Sequence, residues 1–288
     1  MKKTIKLLGT FALIVTTAAF LGSCGSNSSK EDDHGHTHDA GDSTHSHADG
    51  EDHGHGHSHD ESKYKMLLTN IPTQVTAGQA ATLSFTPKLK ADEAQPVALD
   101  DSHGKKMHII AVSNDLSTFQ HLHPEATDKG DYTTQATFAT GGDYTLFADF
   151  KPTGAGETTD KIALKVAGTP AVAVAYTAEK LTSTTKDFTL KLEAEIPWKT
   201  GEELHINGTL TQNGKEIPVE ELEDYLGAKA HVVMISVAEK EYAHVHPETE
   251  NHRIHLHAEF HHAGIYRAWL QFKYKGQVYL TDFVIDVK

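Results

Sequence analysis

The chain has 288 residues, 38% hydrophobic and 23% charged, enough for about two packed domains. With 22 Gly and 9 Pro it is neither collagen-like nor wholly low-complexity, and a single cysteine excludes intrachain disulfides, Cys₄ zinc sites and iron–sulfur clusters. A formal charge of −14 opposes nucleic-acid binding, whose phosphates need a basic surface, while 22 histidines are an abnormal load.

Lys2, Lys3 and Lys6 form a positive start, and Leu7 to Leu21 is an apolar run broken only by Gly and Thr. That run is short for a membrane span and right for a signal-peptide core. It ends in Leu21-Gly22-Ser23-Cys24, which resembles the lipobox of bacterial lipoproteins. The resemblance implies a signal peptide over 1–23 and lipidation of Cys24. The mature chain is then expected outside the cytoplasmic membrane, held to it by lipid. An ordinary secretory signal with an incidental cysteine is the other reading.

Residues 24–63 follow as a tract with almost nothing to bury. Its histidines are His34, His36, His38, His45, His47, His53, His55, His57 and His59, interleaved with acids and glycines. Such a segment cannot offset its ordering entropy, and it is expected to be disordered. In an extended His-x-His stretch alternate side chains point the same way, so two imidazoles can hold one ion. Neutral imidazole suits Zn²⁺, Cu²⁺ and Ni²⁺, and the neighbouring carboxylates raise the local cation concentration. The composition resembles the His-rich loops of bacterial zinc-uptake proteins and zinc transporters. The plainer reading is a hydrated stalk.

The rest of the chain repeats. Leu99–Glu125 aligns without a gap on Leu222–Glu248, sharing Gly104/Gly227, His108/His231, His121/His244, His123/His246 and the following Pro-Glu. After a one-residue slip, Phe138–Lys151 aligns on Phe260–Lys273, with Phe147 facing Trp269 and Asp149 facing Gln271. Two homologous domains are expected, at 64–168 and 174–288. Short stretches rich in Val, Ile, Thr, Phe and Tyr, separated by turn signals such as Asn213-Gly214, read as strands. The expected fold is all-β: two tandem immunoglobulin-like β-sandwiches, with a jelly roll or small barrel as alternatives. Val219–Gly227 is expected to form a helical turn.

Each copy carries His-x₁₂-His-x-His-Pro-Glu: His108, His121 and His123 in the first, His231, His244 and His246 in the second. A hairpin with Ile110 opposite Phe119 sets His108 opposite His121, and His121 and His123 share a face. The second copy is expected to pair Val233 with Tyr242. Three imidazoles would then converge, with proline ending the pairing. Three nitrogens suit Zn²⁺ or Cu²⁺. His103, Met107, Glu125 and Asp149 are candidate fourth ligands, Met107 facing the wrong way in a regular strand. His255 and His257 are additional candidate ligands on one strand face, His261-His262 marks a hairpin tip, and His205 reads as an isolated surface residue. The alternative is that these histidines serve packing and hydrogen bonding alone.

The segment MHIIAVSNDLSTFQHLHPE, followed by GGDYTLFADFKPTG, resembles the YtkA-like domain of bacterial extracytoplasmic proteins. The resemblance implies a small immunoglobulin-like sandwich outside the membrane and supplies no reaction. Blue-copper chemistry needs a cysteine thiolate, and Cys24 is assigned to lipid. A zinc hydrolase with Glu125 or Glu248 as base lacks any supporting catalytic motif. The expected function is therefore not enzymatic. It is binding of Zn or Cu(II) at the cell surface, for buffering or for delivery to a metal transporter or envelope protein. A structural or adhesive envelope protein with the tract as stalk is the alternative.

Overall fold

In a computed structural model, the structure describes residues 62–70, 74–245, 247–250 and 252–288. The signal segment, Cys24 and the tract histidines lie outside the described residues, as does His246. The first repeat consists of β1 (Tyr64–Asn70), β2 (Val75–Thr76), β3 (Ala80–Leu89), β4 (Asp92–Pro96), β5 (Leu99–Asp100), β6 (Met107–Ser113), β7 (Phe119–Leu122), β8 (Glu125–Ala126), β9 (Tyr132–Thr137), β10 (Gly142–Pro152) and β11 (Thr158–Ala167). The second consists of β12 (Thr182–Thr185), β13 (Phe188–Ala194), β14 (Glu203–Gln212), β15 (Lys215–Glu216), β16 (Ala230–Ser236), β17 (Tyr242–Val245), β18 (Pro247–Glu250), β19 (Arg253–Glu259), β20 (Gly264–Tyr274) and β21 (Gln277–Val287). The helical turn expected within Val219–Gly227 is a single 3₁₀ turn, Val219–Glu221.

Each repeat is a two-sheet sandwich, so the chain is all-β with two tandem copies of one fold. In the first, β1-β3-β9-β8 faces β2-β11-β10-β6-β7; in the second, β12-β13-β14-β19-β18 faces β17-β16-β20-β21. Leu83, Phe85, Met107, Ile109, Leu146 and Phe150 belong to the first core, and Phe188, Leu204, Ile206, Met234, Leu270 and Phe272 to the second.

A third apolar cluster joins the repeats. β6 and β16 are buried along their whole length, because both faces are covered. Met107, Ile109 and Ala111 point into the first core, while Ile110 and Val112 meet Val233, Ile235 and Trp269 of the second repeat. The contacts come in matched pairs. Phe119 stacks on Trp269 with ring centroids 4.8 Å apart, and Tyr242 stacks on Phe147 at 5.1 Å. Each pair joins one repeat to the other, and the partners hold equivalent positions. Arg267, buried beside Trp269, donates to Asp282 at 2.9 Å and lies over the Tyr176 ring. Burial pushes the Asp282 carboxyl up, but bonds from Lys180 and Arg267 outweigh it and hold the group below its ordinary value.

Two glycine turns meet at this interface. His103-Gly104 and Leu226-Gly227 each place two successive residues at positive φ. A Cβ on Gly104 would stand 3.0 Å from the Leu226 carbonyl oxygen, and one on Gly227 would stand 3.1 Å from that of His103. Gly104→Ala therefore meets both a left-handed backbone, costing about 1–2 kcal/mol, and the opposing main chain. Urea unfolding is expected to show more than that loss; a loss confined to about 1–2 kcal/mol, the backbone cost alone, would mean that the turns are apart in solution.

The hairpin register differs from the expected one by two residues. Ile110 pairs with His121 rather than Phe119, and Val233 pairs with His244 rather than Tyr242. The cause in the first repeat is the loop. Asp115 accepts bonds from the Ser113 and Ser117 hydroxyls at 2.6 and 2.8 Å, and Leu116 is fully buried at φ 56°. Burial raises the Asp115 carboxyl, but these bonds prevail and lower it. The loop so built spans Asn114 to Ser117, with the Ser113 amide donating to the Thr118 carbonyl. A shift of two keeps every side chain on its expected face. Pro124 ends the pairing as expected, and the chain passes from β7 in one sheet to β8 in the other.

Candidate metal centre

His108 lies on the interface face of β6, fully buried, and His121 and His123 approach it from β7 and the residue beyond its end. His108 Nδ1, His121 Nε2 and His123 Nε2 form a triangle with all three edges 3.1 Å. The three nitrogens are close enough together that His108, His121 and His123 could hold one Zn²⁺ or Cu²⁺ between them.

Two corners have their tautomers set from behind. His108 Nε2–H donates to the Ser102 carbonyl at 3.0 Å, leaving a lone pair on Nδ1. His121 Nδ1–H donates to Gln271 Oε1 at 2.9 Å, leaving a lone pair on Nε2. Gln271 belongs to the second repeat. Two lone pairs 3.1 Å apart repel unless a cation or a proton lies between them. The arrangement therefore has the chemistry of a tripodal imidazole ligand with orienting second partners.

His231 holds the equivalent place on β16. It is buried, and its Nε2–H donates to the Tyr225 carbonyl at 2.7 Å. Ser102 and Tyr225 are equivalent residues, so both repeats fix the same tautomer with the same carbonyl. The His231 ring lies 5.4 Å from that of His121 and 6.1 Å from that of His108. The His244 backbone pairs with Val233, while its side chain and all of His246 lie outside the description.

The candidate fourth ligands are placed as follows. Met107 points into the first core, as its strand parity requires. Glu125 is exposed and ion-paired with Lys105 at 2.7 Å. His103 bonds Glu157 at 3.0 Å, its ring 6.2 Å from that of His108. Asp149 is buried on β10, directly across the backbone ladder from His108. Burial drives the Tyr242 hydroxyl well above its ordinary value, and Asp149 and Glu157 add to this, so it stays neutral.

His255 and His257 do not join this triangle. They lie on β19 in the other sheet, where His205 pairs across from His257. The isolated position expected for His205 is thus corrected: β14 brings it within 3.3 Å of His255. The hairpin tip expected at His261-His262 is instead the crossing from β19 in one sheet to β20 in the other, and there His262 bonds Glu241 at 2.9 Å, a bond that raises its imidazole. Gln271 is visible in the alignment only as a departure from Asp149. The roles of the Ser102 and Tyr225 carbonyls leave no side-chain signal.

A family model described as "Domain of unknown function (DUF8832)" matches residues 57–168 and again 183–288. No curated protein matches the chain. Among solved structures, a Salmonella alpha-2-macroglobulin mutant aligns with 78% of this chain at 10% identity and TM-score 0.28, and the chain spans 15% of its length. Shewanella baltica MtrC aligns at 7% identity, over 78% of this chain and 68% of its own, with TM-score 0.23. The Ig1-2 module of the Drosophila receptor protein tyrosine phosphatase DLAR aligns at 8% identity, over 79% and 100%, with TM-score 0.21. Likeness at this level carries no argument about function.

Proposed function

The chain belongs to this family of unknown function, carrying its domain twice, and we propose that it binds a divalent transition metal, Zn²⁺ or Cu²⁺, between the repeats. His108, His121 and His123 are the ligands. The single observation behind this reading is their nitrogen triangle with two lone pairs fixed inward. His231 in the same tautomer supports a related array built with His244 and His246. The tract histidines collect ions at lower affinity and feed the interface. The lipobox-like Cys24 and the resemblance to YtkA-like domains support a lipid-anchored, extracytoplasmic setting, with a metal transporter or envelope protein as recipient. The role is binding and transfer, not catalysis.

The test uses the full chain loaded with Zn²⁺ and titrated with a chromophoric chelator that strips weakly held ions. His121→Ala/His123→Ala is expected to lose a chelator-resistant ion while keeping its circular dichroism. Equal retention by both proteins would overturn the assignment. Protons compete for imidazole, so retention is expected to fall on acidification.

A further inference from the structure

β14 and β19 carry a second constellation on the outer face of the second repeat. Leu204, Ile206, Ile254 and Leu256 point into the core, so His205, His255 and His257 point outward. One ring nitrogen from each lies within 4.8 Å of the others. His205 Nδ1 is 3.3 Å from His255 Nε2. His255 Nδ1–H donates to Asn207 Oδ1 at 3.0 Å, which leaves the lone pair of Nε2 facing His205. His257 Nδ1–H donates to Glu203 at 3.2 Å, leaving Nε2 beside the Glu248 carboxylate at 3.5 Å. Glu248 comes from β18, directly across the ladder from His255.

We propose that His205, His255 and His257, with Glu248, form a second divalent-metal site, partly open to solvent and distinct from the interface triangle. Three imidazoles and one carboxylate suit Zn²⁺ or Cu²⁺. Asn207 and Glu203 orient the rings as second partners. The site is peculiar to the second repeat. His205 pairs with His257 where Thr82 pairs with Gln135 in the first, and Asn207 pairs with His255 where Ser84 pairs with Thr133. Only the glutamate is shared, as Glu125. The outer site therefore differs from the triangle: the triangle is buried at the junction of the repeats, and the outer site is partly exposed and exchanges ions more readily. This inference does not rest on the interface triangle.

The test uses the full chain with its nine tract histidines changed to Asn, loaded with Co²⁺ and followed by its visible ligand-field bands. The outer variant is His205→Thr/His257→Gln, which installs the residues that the first repeat tolerates at the same register. It is expected to lose one bound ion and part of the cobalt spectrum. The interface variant, His121→Ala/His123→Ala, is expected to keep the outer ion. An outer variant with the parent's ion count and spectrum overturns the outer site, whatever the interface variant does. Should the double variant fail to fold, His257→Gln alone, at a partly exposed position, is expected to weaken the outer ion more than about tenfold; unchanged affinity would overturn the proposal.

Discussion

Trp269→Ala is expected to lower unfolding free energy by about 3–5 kcal/mol, as for a buried aromatic in a core. Trp269 belongs to neither sandwich core. It is 3% exposed and packs in the cluster between the repeats, with Phe119 stacked on one side and the Arg267 guanidinium 5.1 Å from its ring. Truncation removes the stacking partner of Phe119 and opens a cavity bounded by rigid strands, which relax poorly. The matching substitution, Phe147→Ala, strips Tyr242 of its partner on the equivalent contact. Since both contacts serve one interface, the two losses should not add: the second truncation acts on an interface already loosened. Equilibrium urea unfolding measures this. A loss under about 1 kcal/mol for Trp269→Ala would mean that the repeats separate in solution.

The strands and the repeat are legible in the sequence because they rest on local pattern. HIIAVS, DYTLFADF and their counterparts have the right residue types and bounding turns, and the structure places strands there. The packing of one repeat on the other has no motif, although MHIIAVS and AHVVMIS carry its trace. A strand covered on one side alternates; these two are apolar at nearly every position, and both are buried throughout. The second face of each has to be covered by something, and the equivalent strand of the other copy covers it.

The triangle is legible for a related reason. Face parity depends only on odd or even spacing, so a two-residue difference in register leaves the three histidines on one side. The actual pairing depends on the Asp115 loop and the buried Leu116, whose left-handed backbone no periodicity announces. His205 is misleading in the sequence because its partners lie some fifty residues away on β19. A single histidine in an alternating strand has no local feature that marks it as a ligand. Only the pairing of β14 with β19 supplies the other two.

Gln271→Leu is expected to weaken metal binding at the interface by about 10–100-fold, with little change in stability without metal. The leucine retains most of the side-chain volume but cannot accept the His121 Nδ1–H bond. The imidazole is then no longer held with Nε2 inward, and part of the binding energy goes into selecting that tautomer and ring orientation. Asp149, the equivalent residue in the first repeat, lies beside Tyr242 and helps to keep its hydroxyl neutral. Because Gln271 lies on β20 and His121 on β7, this bond also ties the ion to both repeats. Metal should therefore stabilise the wild-type pair against separation, and Gln271→Leu should lose much of that effect while Trp269 still holds the apolar interface. Isothermal titration with Zn²⁺ gives the affinity, and unfolding with and without the ion gives the coupling. Wild-type values for both would show that His121 is oriented by its own strand, and that the second repeat contributes a wall to the site but no control over it.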